Sequence, residues 1–200
     1  MNFKTDKLNK KLISSLRDHE VAIESLNKPE NLKKVFESLK ILLKVLKNGG
    51  TIFWCGHGGS AADCQHLSAE LIGRFKINRR PYKSISLTTD TSAITAISND
   101  YGYNHVFSRQ LEGLGTKKDL LFALSTSGNS QNIVNAMISA KKKKMKIIAL
   151  LGNKGGKCKK YSNINIIIDS KETARIQEAH TLIGHILCEM VEHLIRSRKL

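Results

Sequence analysis

Two stretches of the 200-residue sequence contain side chains that could move protons or hold an anion. In the first, "CGHGGSAADCQHLSAEL" (residues 55–71), a glycine-rich turn leads into a helical pattern that carries His66 and Glu70. Because residues four apart share one face of a helix, this imidazole and this carboxylate suit two zinc ligands or an acid/base pair. The same spacing also occurs on solvated helices, so it predicts a site only together with other evidence.

The turn that precedes this helix is not a common nucleotide-binding loop, because it lacks both the GxxxxGK[ST] and the GxGxxG pattern. Its three glycines, Gly56, Gly58 and Gly59, allow the backbone to turn tightly. We expect Ser60 to cap the following helix and Asp63 to complete a capping box.

The second stretch, "STSGNS" (residues 125–130), predicts a phosphate-binding loop. It places four hydroxyl side chains and Gly128 between an apolar run and a helical pattern. Hydroxyls, a glycine that allows close backbone approach, and the free N–H groups of a helix start all favour a phosphate. The alternative is an ordinary turn in which Ser130 caps the helix, but capping needs only one of these hydroxyls.

Short apolar runs alternate with helical patterns after residue 50, and this order predicts an α/β fold. The predicted strands are "TIFWC", "SISLT", "DLLFALS", "KIIALL" and "INIII", and the predicted helices lie near 60–73, 104–114, 130–144 and 174–197. We expect a doubly wound, mostly parallel five-stranded sheet, preceded by an N-terminal helical segment at about 1–48. Ligands bind at the carboxyl ends of such strands, where the two stretches above and a third loop, "TTDTSAITAISNDYG", are expected.

Length and composition narrow the class of protein. A chain of 200 residues with 40% hydrophobic content predicts one domain over residues 1–200. The polar N-terminus and the lack of a long apolar run favour a cytoplasmic protein with no membrane partner. The formal net charge of +16 comes mostly from scattered lysines, so we expect a basic surface that attracts anionic substrates and no nucleic-acid site. The four widely spaced cysteines predict neither a disulfide framework nor a cysteine zinc site.

Four motifs occur in the same order as in a known family: "GHGGSAADCQHLSAELIGRF", "TTDTSAITAISNDYGYNHVFSRQLEGLG", "STSGNSQNIVNA" and "ARIQEAHTLIGHIL". They resemble the phosphoheptose isomerases, a branch of the SIS (sugar isomerase) fold. The resemblance implies a homotetramer that converts sedoheptulose 7-phosphate to D-glycero-D-manno-heptose 7-phosphate, a precursor of ADP- or GDP-heptose for lipopolysaccharide or capsule. It also implies one zinc ion per subunit.

The resemblance assigns site residues by position. The residues that match the family's zinc ligands are His66, Glu70, Gln177 and His185. Its substrate-binding positions correspond to His57, Gly58, Gly59, Glu70, Asn99, Asp100, Ser125, Thr126, Ser127, Ser130 and Gln177. His57 departs from the family, which usually has asparagine in "GNGGS", and a larger, titratable side chain there could alter recognition of the sugar hydroxyls.

The implied reaction moves a proton between adjacent carbons through an enediolate, which needs a base and an acid. We predict that Glu70 is the base and His185 the acid. A zinc ion could bind the sugar oxygens and stabilise the negative charge as a Lewis acid. The two roles of Glu70 compete, because a metal-bound carboxylate is a poorer base than a free one.

Helix geometry leaves open which subunit supplies each ligand. Gln177 and His185 are eight residues apart, roughly 12 Å along a straight helix. Either one helix stretches both side chains to the metal, or a neighbouring subunit contributes one of them. The same helix carries an apolar stripe that suits packing between subunits or within one chain, and we expect His180 at its margin to be structural. The stripe consists of Ile176, Ile183, Leu187, Met190 and Leu194.

The rival function is that of a non-catalytic SIS-domain protein of the replication-initiator-associating type, which binds another protein. That branch lacks the carboxylate at the position of Glu70. Because this chain has Glu70 together with Gln177 and His185, the sequence favours the enzyme.

Overall fold

The computed structural model describes residues 5–197 of the chain. Its helices are α1 (Thr5–Glu24), α2 (Pro29–Lys47), α3 (Gly59–Ile72), α4 (Thr91–Tyr101), α5 (Ser108–Leu114), α6 (Gln131–Lys142) and α7 (Thr173–Arg196). Its strands are β1 (Ile52–Cys55), β2 (Ser84–Ser86), β3 (Leu120–Ser125), β4 (Lys146–Gly152) and β5 (Ile164–Ile168). The expected N-terminal helices are thus confirmed as α1 and α2. Residues 1–4 and 198–200, which the expected domain span includes, lie outside the described residues.

The five strands form one parallel sheet in the order β2-β1-β3-β4-β5. This confirms the predicted doubly wound α/β fold. The strand order changes direction between β1 and β3, whose residues Cys55 and Ala123 are paired near the carboxyl ends of the strands. In sheets of this order, ligands bind outside the carboxyl ends of the strands at such a switch point.

Helices cover both faces of the sheet, because alternate side chains of each strand point in opposite directions. Ile52 and Trp54 of β1 pack in a layer with the buried faces of α2, α3 and α7. Phe53 and Cys55 pack in a second layer with α5 and α6. The rings of Trp54 and Phe122 stack with centroids 4.4 Å apart and so join β1 to β3 within the first layer.

The apolar stripe of α7 packs mainly within the chain. Ile176, Ile183 and Leu187 are buried in the first layer. Met190 and Leu194 are only partly buried, and they line an open apolar cleft of about 480 Å³ between α2 and α7. Packing inside the subunit therefore explains most of the stripe.

Residues 91–101, which we expected within a loop, form α4, so that prediction was wrong. Asp90 caps the start of the helix, since its carboxylate accepts the N–H three residues later, and Gly102, whose φ is 83°, follows its last residue. Ile94 and Ile97 are only partly buried against the second layer. Serine, threonine and isoleucine have low helix propensity, and the apolar pattern is short, so the sequence gives a weak helical signal here.

Helix α1 exposes most of its surface. Its contacts to α7 include His19 Nδ1, which lies 2.6 Å from Glu178 Oε2, and Arg175, which donates to the Ser15 carbonyl at 2.9 Å. Of its 20 residues only Ala22 is buried. Its exposed apolar side chains are those of Leu8, Leu12, Ile13, Leu16 and Val21. None of the helices within residues 5–197 is both long and apolar enough to cross a membrane.

Candidate active site

The two predicted loops meet at the switch point of the sheet. The glycine turn after β1 and the hydroxyl-rich loop after β3 follow neighbouring strands. Because α3 and α6 start directly after these loops, their N-terminal ends lie at the same edge of the sheet. A polar contact joins the two parts, since His57 Nε2 lies 2.5 Å from Asn132 Oδ1.

Three of the predicted site residues come together on α3 and α7. The ligand atoms of His66, Glu70 and His185 all lie within 4.8 Å of one another. His66 Nε2 is 2.9 Å from His185 Nε2 and 3.5 Å from Glu70 Oε1. The His66 side chain is 52% exposed, whereas that of Glu70 is 18% exposed, so the group opens to solvent on the His66 side. A single chain therefore supplies both helices of this group.

The composition and spacing of this group would allow it to hold a metal ion, and they can be compared with the geometry of zinc sites. Zinc–nitrogen bonds of about 2.0–2.1 Å at tetrahedral angles place two ligand atoms about 3.3 Å apart. The observed separations of 2.9 and 3.5 Å lie on either side of that value. Two imidazoles and a carboxylate also match catalytic zinc sites, which leave a coordination position for substrate. The side chain of Gln177 contacts Gly59 at the start of α3, and its role as a fourth ligand stays a prediction.

Helices α3 and α7 run side by side in the same direction, and glycines allow their close approach. A Cβ atom at Gly59 would lie only 2.6 Å from the Gln177 amide oxygen. A Cβ atom at Gly184 would overlap the side chain of Leu67. These two glycines therefore set the distance between the helices that carry His66 and His185.

Asp63 belongs to this helix contact and not to a capping box. Helix α3 begins one residue before Ser60 and has no side-chain cap, so the predicted capping roles of Ser60 and Asp63 were wrong. Instead, Thr181 Oγ1 of α7 donates to Asp63 Oδ1 at 2.8 Å. Burial raises the pKa of Asp63, and the Thr181 hydrogen bond and the two nearby imidazoles only partly offset this rise.

The hydroxyls of the predicted phosphate loop have two different roles. Those of Ser125 and Ser127 accept hydrogen bonds from N–H groups three and two residues later, both at 3.1 Å. Those of Thr126 and Ser130 make no hydrogen bond within the described part of the chain. Ser130 occupies the cap position of α6 without capping it, and the Ile133 N–H donates to Asn132 Oδ1, so the N–H groups of Gln131 and Asn132 remain available. The loop thus presents two hydroxyls and a helix N-terminus to an anion.

The phosphate loop is fixed by the loop after β4. Gly128 has a φ of 66°, and a Cβ atom there would overlap the carbonyl of Gly155. The Gly128 carbonyl accepts the N–H of Cys158 at 2.9 Å, and the Asn129 side chain accepts that of Lys157 at 3.0 Å. We expected Gly128 to allow close approach of a ligand, but the close approach in the structure is to protein backbone.

His57 links three parts of the site. Besides its contact to Asn132 on α6, its Nδ1 lies 3.3 Å from the hydroxyl of Tyr103, in the 3-10 turn after α4. The N–H of Ile133 also donates to Asn132 Oδ1, so this oxygen is an acceptor. The pattern assigns the proton of the neutral His57 ring to Nε2, which leaves Nδ1 to accept the Tyr103 hydroxyl.

Two predicted substrate-binding residues make no side-chain hydrogen bond to the other candidates among the described residues. Asn99 and Asp100 lie exposed near the end of α4, where Asn99 Nδ2 donates to Asp100 Oδ1 at 2.8 Å. Their proposed contact with substrate therefore stays a prediction.

His180 lies in the protein interior on α7. It is fully buried, and neither ring nitrogen has a hydrogen-bond partner of acceptable geometry among the described residues. Burial lowers its pKa to about 4, and the backbone of Leu151 offsets only part of this shift. A neutral, buried imidazole is what we expect of a structural residue.

Sequence reasoning missed three residues next to this group: Phe75, Arg79 and Glu192. The ring of Phe75 stacks on that of His185 with centroids 5.4 Å apart. No local pattern marks Arg79 and Glu192, because their hydrogen bond joins residues 113 positions apart. Asp63, in contrast, could have been found, because it lies one turn before the predicted zinc ligands of α3 and on the same face.

Comparison with known sequences identifies relatives along most of the chain. The SIS domain profile matches residues 21–152. A phosphoheptose isomerase of Helicobacter pylori is 50% identical over 177 residues, which cover 84% of this chain and 92% of the relative. A phosphoheptose isomerase of Sulfurimonas denitrificans is 48% identical over 170 residues, which cover 84% of this chain and 87% of the relative. These relatives support an isomerase over a non-catalytic binding protein.

Solved structures agree with the sequence comparison. A phosphoheptose isomerase from Neisseria gonorrhoeae superposes with a TM-score of 0.84 at 37% identity, over 96% of this chain and all of the other. One from Francisella tularensis gives a TM-score of 0.86 at 35% identity, with the same coverage of both chains. The sequence motifs, the fold and the relatives thus agree, and the chain belongs to the phosphoheptose isomerase family of SIS-domain enzymes.

Proposed function

We propose that this chain converts sedoheptulose 7-phosphate to D-glycero-D-manno-heptose 7-phosphate, a precursor for bacterial heptose-containing polysaccharides. The observation that carries the proposal is the grouping of His66, Glu70 and His185 on α3 and α7, together with a hydroxyl-rich loop at the switch point where α3 begins. A sugar phosphate has two ends that need different chemistry. The histidine–glutamate group suits the carbonyl end, and the loop at 125–130 suits the phosphate.

The proton transfer assigns one role to each titratable residue. The carboxylate of Glu70 takes the proton from carbon 1 of the ketose, and the electron pair of that C–H bond forms the enediolate double bond. Glu70 then returns the proton to carbon 2. The imidazole of His185 gives a proton to the oxygen of the former ketone and takes one from the oxygen at carbon 1, so no net acid or base is consumed.

Zinc is the proposed cofactor, one ion per subunit, because the donor set of α3 and α7 fits it. His66, Glu70 and His185 would hold the ion, with Gln177 as a further ligand. When bound, zinc supplies a Lewis acid for the negative charge that develops on the sugar oxygens. Ligation and proton abstraction compete for the Glu70 carboxylate. Because the group is open to solvent on the His66 side, the Glu70 side chain has room to move between the two roles.

A homotetramer is the proposed assembly, and the exposed apolar side chains of α1 support it. A helix that buries one of its 20 residues within the subunit gains little from intramolecular packing. A second copy of the chain could cover this face and the apolar cleft between α2 and α7. Light scattering should give a mass near four times the 22.3 kDa of one chain, and a fully active monomer would contradict the proposal.

We further propose that the whole chain is one SIS domain and works in the cytoplasm.

The function is tested by incubating the purified, zinc-loaded protein with sedoheptulose 7-phosphate and identifying the product by NMR. We expect the aldose phosphate, with solvent deuterium at carbon 2 when the reaction runs in D₂O. Sedoheptulose without the phosphate serves as the control and should react poorly, because the loop at 125–130 then has nothing to bind. Absence of both product and exchange in a folded, zinc-loaded sample would refute the proposal.

A further inference from the structure

The segment between α3 and β2 is held at one buried carboxylate. Glu192 Oε1 accepts hydrogen bonds from the Phe75 N–H at 2.9 Å and from Arg79 Nε at 3.1 Å. Glu192 Oε2 accepts from the N–H groups of Lys76 at 2.7 Å and Ile77 at 3.0 Å. The side chains of Arg79 and Glu192 are each only 3% exposed. This single carboxylate therefore uses all its acceptor capacity to attach residues 75–79 to α7.

Arg79 continues this connection to the end of α3. Its Nη2 donates to the carbonyl of Glu70 at 2.6 Å, and its Nη1 donates to that of Leu71 at 2.8 Å. The last carbonyls of a helix have no partner within the helix, so a cation that binds them caps its C-terminus. Arg79 thus fixes the backbone of the turn that carries Glu70.

Phe75 connects the same carboxylate to the second candidate residue. While its N–H is held by Glu192, its ring stacks on His185 with the two planes 25° apart. The face on which the His185 ring packs is therefore set by the position of residues 75–77. One carboxylate on α7 controls the surroundings of both Glu70 and His185.

The connection is charged and largely dry. Burial alone would raise the pKa of Glu192, but the three N–H groups and the Arg79 guanidinium outweigh it and lower that pKa. Burial, followed by the charge of Glu70, raises the pKa of the nearby Cys188 thiol to about 12. The ion pair between Arg79 and Glu192 thus lies near a neutral thiol, that of Cys188. Removing one charge of the pair leaves the other uncompensated in the interior.

We infer that Arg79 and Glu192 are positioning residues for isomerisation, which hold Glu70 and His185 in the relative arrangement that proton transfer needs. The inference rests on the roles proposed above for Glu70 and His185. A displacement of a reacting group by about 1 Å can cost about 10²-fold in rate. Loss of the connection should therefore lower kcat much more than it changes KM, because the phosphate loop lies on β3 and α6 and takes no part in it.

The test compares Glu192→Gln with the parent protein. The glutamine amide places an N–H group where the backbone N–H groups of residues 75–77 need an acceptor, so this segment should detach from α7. We expect kcat to fall about 10- to 100-fold with KM within about threefold. A second readout is the NMR signal of the His185 ring carbon-bound proton in ¹³C-histidine-labelled protein, which should shift when the Phe75 ring moves away.

Asp119→Asn is the matched control. Asp119 is also a buried carboxylate that accepts backbone N–H groups, from Thr51 and Thr116 at 2.7 Å each, but it lies at the amino ends of β1 and β3. The Asp119→Asn substitution should lower the unfolding temperature without changing kcat or the His185 signal. A Glu192→Gln protein that behaves like Asp119→Asn in both readouts would overturn the inference.

Two further variants keep the test decisive. If Glu192→Gln does not fold, Arg79→Lys replaces it, because lysine keeps the buried charge but cannot bind the carboxylate and both carbonyls at once. Glu70→Gln separates this inference from the proposed function. If Glu70→Gln stays active, the proposed role of Glu70 fails; if it is inactive while Arg79→Lys and Glu192→Gln keep their kcat, only the positioning role fails.

Discussion

The two ends of the candidate site are built in different ways. The phosphate loop consists of six consecutive residues, and Ser125 and Ser127 stabilise it through hydrogen bonds to N–H groups two or three positions away. The candidate metal-binding end combines His66 and Glu70 with His185, more than 100 positions later in the chain. One end is thus a single short stretch that the loop after β4 holds in place, whereas the other exists only when α3 and α7 pack correctly.

This difference predicts how each end responds to substitution. Changes in the loop should weaken binding of the phosphate and leave the proton-transfer groups in place. Changes in α3, α7 or the residues between them should slow the chemistry at constant substrate affinity. The variants below are ordered from the largest expected effect to the smallest.

Glu70→Gln should have the largest effect. The amide keeps the shape of the side chain but removes the base, so kcat should fall by about 10²- to 10⁴-fold, with KM little changed if the loop holds the phosphate. The measurement is steady-state kinetics together with deuterium exchange at the reacting carbon. Zinc content must be measured in the same samples, because Glu70 is also a proposed ligand.

Zinc occupancy distinguishes the two roles of Glu70. If the residue acts mainly as a base, exchange stops even at full occupancy. If it acts mainly as a ligand, zinc content falls and added zinc restores much of the activity. Near-normal isomerisation by a folded Glu70→Gln protein contradicts both roles.

The buried His180 should make the packing of α7 sensitive to pH. Its pKa of about 4 in the folded protein lies below the value of about 6.5 in the unfolded chain, so the unfolded chain binds the proton more tightly. The contribution of His180 to the free energy of unfolding is therefore fully present above about pH 6.5. It falls by about 3 kcal/mol as the pH drops to 4. Urea unfolding at fixed protein concentration should show a shallower pH dependence for His180→Leu than for the parent. The exposed His193→Gln should match the parent, and an unchanged slope for His180→Leu would contradict the prediction.

Ser130→Ala should affect the other end of the site. The Ser130 hydroxyl makes no hydrogen bond within residues 5–197, so its removal should leave the loop intact. A hydrogen bond to a charged group contributes about 1.5–3 kcal/mol, which corresponds to a rise in KM of about 10- to 100-fold. Ser125→Ala differs because its hydroxyl stabilises the loop, so it should also reduce the unfolding temperature. Equal KM values for Ser130→Ala and the parent would place the phosphate elsewhere.

The same distinction between local and distant contacts explains what the sequence could predict. The buried strands were recognisable because β1, β3 and β4 are continuous apolar runs, and the spacing of His66 and Glu70 pointed to one helical face. His185 entered the site only through resemblance, because no local pattern shows which residue of α7 faces α3. Helix α4 was missed because its core contacts are few and its residues are weak helix formers. Arg79 and Glu192 were missed because their function depends on a contact that exists only in the folded chain.

His57 connects the glycine turn before α3 to α6 and to the turn after α4, and its replacement should have the smallest effect. His57→Asn introduces the residue usual in the family, but the shorter side chain loses the contacts to Asn132 and to the Tyr103 hydroxyl. Two hydrogen bonds between neutral groups contribute about 1 kcal/mol each, so kcat/KM should change by less than about 30-fold, mostly through KM. Tyr103→Phe should lower kcat/KM in the parent but have no effect in the His57→Asn background, because the hydroxyl then has no partner to lose. Independent effects of the two substitutions would show that His57 does not act through Tyr103.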